Sequence, residues 1–148
     1  ILRPQLDDLI ERVKKWNELY QILEDGLRAT PGLTIVERPE SEKYVGSSFQ
    51  FLLLDWPSEQ VKRVVADCFS YGVELKWFGE PNPHGFTSRY DSWKYVPTTP
   101  MTNTDRILSG LLDLRLPLSF TKGDCELIAS IIRDVVQKLF ETSNTAKI

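Results

Sequence analysis

Two long amphipathic helices frame this sequence, and they constrain its fold more than any other feature. In the second helix, which begins after Thr121, an apolar stripe runs from Leu127 to Leu139. Each stripe has to be buried against another element, and the residues between the helices must supply that surface. In the first helix the apolar residues recur at steps of three and four, namely Leu6, Leu9, Ile10, Val13, Trp16, Tyr20, Leu23 and Leu27.

The residues between the two helices predict a small set of strands. The strongest strand is at 47–55, where Phe49, Phe51 and Leu53 alternate onto one face. Such alternation is typical of a strand with one buried and one solvated face. Weaker strands or extended segments are predicted at 33–38, 73–78 and 114–118.

Shorter helices are predicted at 58–71 and 105–112. Ser58 is suited to cap the first of them, and Gly72 ends it in the C′ position that glycine favours. Its apolar face comprises Val61, Val64, Val65, Cys68 and Phe69. The sequence therefore predicts an α+β fold, a small and mostly antiparallel sheet with the long N- and C-terminal helices packed on one face.

Charge and hydropathy exclude several classes of protein. The 148 residues carry a formal net charge of −3 without a basic stripe, so nucleic acid is not expected as a partner. No apolar run approaches the roughly 18 residues of a membrane span, so no membrane is expected either. The start has no signal peptide and no initiator Met, which predicts a chain that is cut from a longer one or otherwise processed, and a cytoplasmic location is expected.

The reactive side chains do not form a known catalytic set. Cys68 and Cys125 lie far apart among apolar residues, which favours reduced core thiols, although spacing alone leaves a disulfide open. With a single histidine in the chain, no metal site is predicted. Nucleophile motifs and phosphate-binding glycine loops are absent as well, so we do not expect independent catalysis.

Several short motifs occur in a recognisable order. They are Trp16-Asn17-x-x-Tyr20, Tyr71-Gly72-Val73-Glu74, Asp105-Arg106-Ile107-Leu108, Leu114-Arg115-Leu116-Pro117-Leu118 and Thr121-x-x-Asp124 before an isoleucine-rich helix. This order resembles the C-terminal small domain of the DegT-type sugar aminotransferases, a branch of the fold type I pyridoxal-phosphate enzymes. The resemblance covers nearly all of residues 1–148, as a single domain without the large cofactor-binding domain.

The resemblance implies that this chain is part of an enzyme that transfers an amino group to a keto group. In that family the cofactor lysine and the acidic partner of the pyridine nitrogen lie in the large domain. The implied partners are therefore the large domain of the same enzyme, a second copy in a homodimer, and a small-molecule substrate. Pyridoxal phosphate is expected in the parent enzyme, and none is expected to bind this chain alone, which would form the substrate-side wall of the active site.

An irregular, aromatic-rich segment from Gly79 to Thr104 and the strand before it supply the candidate substrate-binding residues. Arg89 is the first choice, because a guanidinium forks onto a carboxylate or phosphate, although it is also suited to pair with Asp91 or Glu80. His84 is predicted to donate a hydrogen bond to a substrate or a phosphate, and the alternative is a solvent-exposed loop residue. The complete predicted set is Lys76, Trp77, His84, Arg89 and Tyr90. As alternatives, Lys76 is an outward-facing strand residue, Trp77 is a core residue, and Tyr90 packs within the loop and stabilises it.

A second function from another class is also compatible with the sequence. The chain has the helix and strand order of a ferredoxin-like module, and its aromatic segment is suited to hold a ligand. The alternative is therefore a stand-alone, non-catalytic regulatory module that binds a small molecule or a protein.

Overall fold

The computed structural model describes residues 6–82, 94–95 and 99–145. These residues form the predicted α+β fold. In chain order the elements are α1 (Leu9–Leu27), β1 (Thr34–Ile35), β2 (Ser48–Leu52), α2 (Ser58–Ser70), β3 (Lys76–Trp77), α3 (Thr102–Gly110), β4 (Leu111–Arg115) and α4 (Lys122–Thr145).

The four strands form one antiparallel sheet in the order β1-β2-β4-β3. Strand β4 comes last in the sequence but lies between β2 and β3. Its register places Leu112 opposite Phe51 and Asp113 opposite Lys76. The antiparallel arrangement predicted from the sequence is therefore confirmed.

The core fills the space between one face of the sheet and three helices. Phe49, Phe51 and Leu53 point to that face and are fully buried, as their alternation predicts. The ring of Tyr20 on α1 lies 4.9 Å from the ring of Phe49. The same core takes up buried side chains from all three helices, among them Leu19, Leu23 and Leu27 from α1, Val61, Val64 and Cys68 from α2, and Ile132, Val135 and Val136 from α4.

The stripe on α1 is buried only in its second half. Leu19 and Tyr20 belong to the core, whereas Leu6, Leu9 and Ile10 are exposed, Ile10 to 80%. The prediction of one continuous buried stripe is wrong for the first turns. Periodicity shows which side of a helix is apolar, but it does not show how far the surface opposite that side extends.

Other boundaries differ from the predictions for identifiable reasons. The predicted helix at 105–112 begins earlier, at Thr102, and ends at Gly110, because Leu111 and Leu112 pair with β2 instead. Ser58 is the first helical residue, and Pro57 precedes it as the N-cap without a side-chain hydrogen bond. The predicted core residues Phe69 and Leu127 lie on the protein surface.

Two predicted helix ends are confirmed. At the start of α4 the Thr121 N–H donates to Asp124 Oδ2 at 2.8 Å, and the Asp124 N–H donates to Thr121 Oγ1 at 3.2 Å. Asp124 Oδ2 accepts from the Thr121 N–H and also, at 2.8 Å, from the Thr121 hydroxyl, and these two hydrogen bonds hold the pKa of Asp124 below its usual value. Gly72 follows α2 with a φ of +83°, the left-handed conformation that ends many helices.

Within the described ranges, the helices are too short or too polar to cross a membrane.

Candidate substrate-binding site

The structure describes two of the five predicted substrate-binding residues. Lys76 and Trp77 form β3, an edge strand that pairs with β4. His84, Arg89 and Tyr90 lie outside the described residues. Substrate contact by these three residues therefore stays a prediction.

Trp77 faces the core rather than the surface. Its side chain is 5% exposed, and its indole Nε1–H donates to the Ser109 carbonyl oxygen at 2.8 Å. Gly79 passes so close that a Cβ there would lie 2.6 Å from Trp77 Nε1. Trp77 thus connects the edge strand to the end of α3. The core position that the sequence offered as the alternative for Trp77 is the one observed. A contact between Trp77 and substrate stays a prediction.

Lys76 lies on the opposite side of the sheet, which we call the outer face. The outer face carries Gln50, Lys76, Asp113 and Arg115, because Lys76 and Gln50 both pair with Asp113 and Arg115 follows Asp113 by two residues. Lys76 is half-buried there and Arg115 is exposed. Polar and charged side chains therefore occupy the sheet surface away from the helices.

Asp113 is a buried acidic residue at the centre of the outer face. It is 5% exposed, although β4 carries it on the face away from the helices. Its Oδ2 lies 4.0 Å from Nε of Arg115, whose side chain is 67% exposed. Buried carboxylates are stable where cations neutralise them, and the Arg115 guanidinium contributes such a charge.

A groove opens at the start of β3 and the end of β4, close to the start of α4. Its volume is about 370 Å³, which lies within the range of small-molecule sites. We define this groove by its charged rim of Glu74, Lys76 and Arg115 and its apolar floor of Leu114, Phe120 and Ile128.

Sequence reasoning singled out Lys76 but missed Asp113 and Arg115. The signal was present, since Leu112, Leu114 and Leu116 alternate with these two charged residues. Period-two alternation places both charges on one face of a strand. The interpretation of 105–112 as a helix hid this pattern.

A second charged contact joins the middle of α3 to the segment after β2. Arg106 donates from Nε to Asp55 Oδ1 at 2.7 Å and from Nη2 to Asp55 Oδ2 at 2.6 Å. The guanidinium holds the pKa of the Asp55 carboxyl below its usual value. Asp55 follows β2 with a φ of 61°, a left-handed conformation that few residues other than glycine adopt.

The cysteines behave as core residues. Cys68 and Cys125 are both free and buried, which confirms the reduced state favoured by the sequence and answers the question of a disulfide. Burial raises the pKa of the Cys68 thiol to about 12, so little thiolate forms near neutral pH. Across the described parts of the chain, no three histidine, cysteine or acidic side chains are grouped as metal ligands.

In the family that the sequence resembles, the cofactor lysine lies in a Ser-x-x-Lys context, and one serine and lysine of this chain have that spacing. They are Ser119 and Lys122, at the beginning of α4. Lys122 is 69% exposed, and its Nζ lies 3.5 Å from Oε2 of Glu18 on α1. This is an open surface position and not an enclosed site.

Comparisons with known proteins identify the same fold in several aminotransferases. The aminotransferase TlmJ from Streptoalloteichus hindustanus superposes with a TM-score of 0.77 at 16% identity, over 93% of this chain and 35% of its own. The synthase of 3-amino-5-hydroxybenzoic acid gives 0.72 at 20% identity, over 93% and 37%. A DegT DnrJ EryC1 StrS aminotransferase from Brucella abortus gives 0.67 at 13% identity, over 92% and 34%.

The three matches cover a similar share of each structure. The chain spans about a third of the length of each of these three structures. The sequence matches no protein-family model and no curated protein. At these identities the comparisons establish the fold, which is the fold that the sequence motifs led us to expect.

Proposed function

We propose that this chain is the C-terminal small domain of a pyridoxal-phosphate-dependent aminotransferase of the DegT type. The observation that carries the proposal is the superposition of 93% of the chain on 35% of an aminotransferase. The motif order of the sequence supports it independently. The proposal includes a large domain of the same polypeptide, a homodimeric parent and a cytoplasmic location.

The described residues do not fit a cofactor-binding role. Each described lysine is exposed except Lys76, which is half-buried on the outer face, and Lys122 is paired with Glu18. Pyridoxal phosphate supplies an electron sink for amino-group chemistry, and it needs an enclosed lysine and an acidic partner. We therefore derive no step through the cofactor from this chain and assign its binding to the large domain.

The role that we assign to this chain is to form the substrate-side wall of the active-site cleft and to supply charged side chains there. Strand β3 leads directly into the aromatic-rich segment, and α3 returns from it to β4. Trp77 and Ser109 join these two elements by a hydrogen bond, so both ends of the segment are anchored on one rigid sheet. A scaffold of this kind is suited to position binding residues such as Arg89.

The first test compares the 148-residue chain with the natural product of its gene. The natural product is expected to have roughly three times the mass of this chain and to bind pyridoxal phosphate, because the matched structures are about three times as long. The chain alone is expected to give no stoichiometric lysine adduct after borohydride treatment with the cofactor. A natural product as short as this chain, or a stoichiometric adduct on the chain, would favour the stand-alone module instead.

The second test concerns Arg89 in the parent enzyme. Arg89→Ala is expected to weaken substrate binding by about 10- to 150-fold, because a lost bidentate charged contact costs about 1.5–3 kcal/mol. Cofactor affinity, measured by the release of bound pyridoxal phosphate on dilution, is expected to stay unchanged. Steady-state kinetics at varied concentrations of the amino acceptor measure the effect on substrate binding.

Lys94→Ala is the matched control for Arg89→Ala. Lys94 is an exposed cation five residues further along the same segment, and its removal changes the net charge equally. Its kinetics are expected to match those of the unmodified enzyme. Equal effects of the two substitutions would indicate a general charge effect and would return Arg89 to the role of a surface residue.

A further inference from the structure

We propose that the exposed apolar surface at the start of α1 is where the preceding large domain of the same polypeptide docks, an inference that rests on the proposed function. We call this surface the α1 patch, and it consists of Leu6, Leu9, Ile10 and Val45. The proposed function requires a large domain, and the α1 patch is where that domain would meet the described part of the chain.

The α1 patch continues the apolar stripe of α1 past the end of the core. On this stripe Tyr20 is buried and Trp16 is half-buried. In the first turns of the helix, Ile10 is 80% exposed and Leu6 is 61% exposed. Single exposed apolar side chains are common on protein surfaces, but a contiguous apolar surface marks a place where another element packs. The stripe therefore indicates that a further surface covers the start of α1.

The loop between β1 and β2 brings Val45 to α1 and holds it there. Asn17 donates from Nδ2 to the Tyr44 carbonyl oxygen at 3.1 Å and accepts at Oδ1 from the Gly46 N–H at 2.8 Å. These two hydrogen bonds flank Val45, which is 50% exposed. Helical spacing places Val13 one turn before Asn17 on the same side of α1, so the apolar surface runs from the first turns toward Val45.

Aromatic and cationic contacts order this loop within the described chain. The Tyr44 ring meets the Tyr20 ring edge-on, with 5.3 Å between the two centroids. The Arg38 guanidinium lies 4.5 Å from the centroid of the Tyr44 ring, and its Nη1 donates to Glu42 Oε1 at 2.8 Å. A surface that is ordered before docking loses little conformational entropy when a partner covers it.

The size of the α1 patch favours a partner in the same polypeptide over a second copy of the chain. Its partly exposed aliphatic side chains offer a few hundred Å² of apolar surface. A stable interface between separate chains buries about 800 Å² on each partner. A domain joined through the backbone is present at roughly millimolar effective concentration, so a smaller surface is enough to hold it. The matched structures, about three times as long as this chain, have room for such a domain.

The test is limited digestion of the natural gene product with trypsin, because trypsin sites lie on α1 beside the patch. They follow Arg12, Lys14 and Lys15, which are all exposed on the described chain. Docking of the large domain is expected to keep this part of the helix folded and covered. Cleavage there is therefore expected to be at least 10-fold slower than in the 148-residue chain alone. Mass spectrometry of the fragments identifies and times each cut.

Ile10→Asp in the natural gene product is expected to raise the rate of these cuts at least 10-fold, because docking would bury an unpaired charge. An acidic residue in the first turn favours a helix, so faster cleavage would not come from unwinding of α1 itself. Ile10→Leu keeps the apolar surface and is expected to keep the parent rate.

Leu127→Asp is the matched control for Ile10→Asp. Leu127 is an aliphatic residue that is 61% exposed near the start of α4, outside the α1 patch. Its replacement is expected to leave the rate of the cuts on α1 unchanged. In the 148-residue chain both aspartate variants are expected to keep the thermal midpoint within a few degrees, since both positions are on the surface there.

Three outcomes would overturn the proposal. Equal cleavage of α1 in the natural gene product and the 148-residue chain, or equal effects of Ile10→Asp and Leu127→Asp, would show that the large domain does not cover the patch. Such a product could still be long and bind pyridoxal phosphate, and the proposed function would then stand. A natural gene product as short as this chain would contradict both proposals, and its mass alone would distinguish that case. A dimer that Ile10→Asp dissociates without faster cleavage would assign the patch to a second copy.

Discussion

Replacement of Phe51 by alanine is expected to lower the free energy of unfolding by about 3–5 kcal/mol. The Phe51 ring is fully buried in β2, and the register places Phe51 between Ile35 and Leu112. Removal of the ring loses its transfer free energy and leaves a cavity that β2, which is paired with a strand on each side, cannot close. The free energy of unfolding of a domain of this size is about 5–15 kcal/mol in total, so the variant is expected to be only marginally stable. Urea titrations followed by circular dichroism measure the loss.

Phe69→Ala is the matched control for this prediction. Phe69 is the same residue type but is 66% exposed on α2. Its replacement is expected to change stability by less than about 0.5 kcal/mol. Similar losses for the two variants would contradict the position of Phe51 at the centre of the core.

Gly110→Ala is expected to destabilise the protein by about 2–3 kcal/mol through overpacking. A Cβ at Gly110 would overlap the Leu53 carbonyl oxygen, and the Leu53 carbonyl carbon lies 2.9 Å away. Both atoms are backbone, and Leu53 also donates its N–H to the Gly110 carbonyl oxygen at 2.9 Å. The strand end therefore has to move away from α3 and lose that hydrogen bond. The shift in the midpoint of urea unfolding measures the cost.

Gly123→Ala separates this clash from the general effect of a glycine replacement. Gly123 lies in the first turn of α4, where the nearest atom to an added Cβ is Thr121 Oγ1 at 3.9 Å. Alanine there is expected to leave stability unchanged or to raise it by up to about 1 kcal/mol, because it restricts the unfolded chain. If Gly110→Ala were equally harmless, the close packing of Gly110 against Leu53 would be disproved.

The sequence was sufficient for those elements whose pattern is local. The alternation of Phe49, Phe51 and Leu53 identified β2 and its buried face, because a strand with one solvated side needs that pattern. The Thr121–Asp124 capping box identified the start of α4 for a similar reason. In the capping box both the pattern and the hydrogen bonds lie within four residues. In β2 the alternation is local, although the residues that cover its buried face come from distant elements.

Predictions failed where a distant element decides the outcome. Leu111 and Leu112 have good helix propensity, but they pair with Leu52 and Phe51, and the cross-strand contacts prevail. Leu127 completes a helical stripe, yet no described element covers it fully, and it stays 61% exposed. The extent of the opposing surface is a property of the whole fold, which a single periodic segment does not encode.

The candidate site was predictable only in part. Lys76 was identified as a strand cation suited to approach an anionic ligand, but Asp113, which pairs with it in the sheet, is 37 residues away and became apparent only from the register. Arg115 was included in a family motif without a role of its own. The groove joins three segments, and no spacing in the sequence brings them together.

Ribosomes synthesise β2 and β3 well before the strand that joins them. Until β4 emerges, β3 has no strand to pair with, and one edge of β2 has free N–H and C=O groups. At about 5–20 residues per second this interval lasts a few seconds. During that time the apolar face of β2 also lacks α4, whose residues come still later. The growing chain is therefore expected to be most prone to aggregate just before Leu111 is added. Strands β1 and β2 can pair early, but β3 joins the sheet only when β4 is complete.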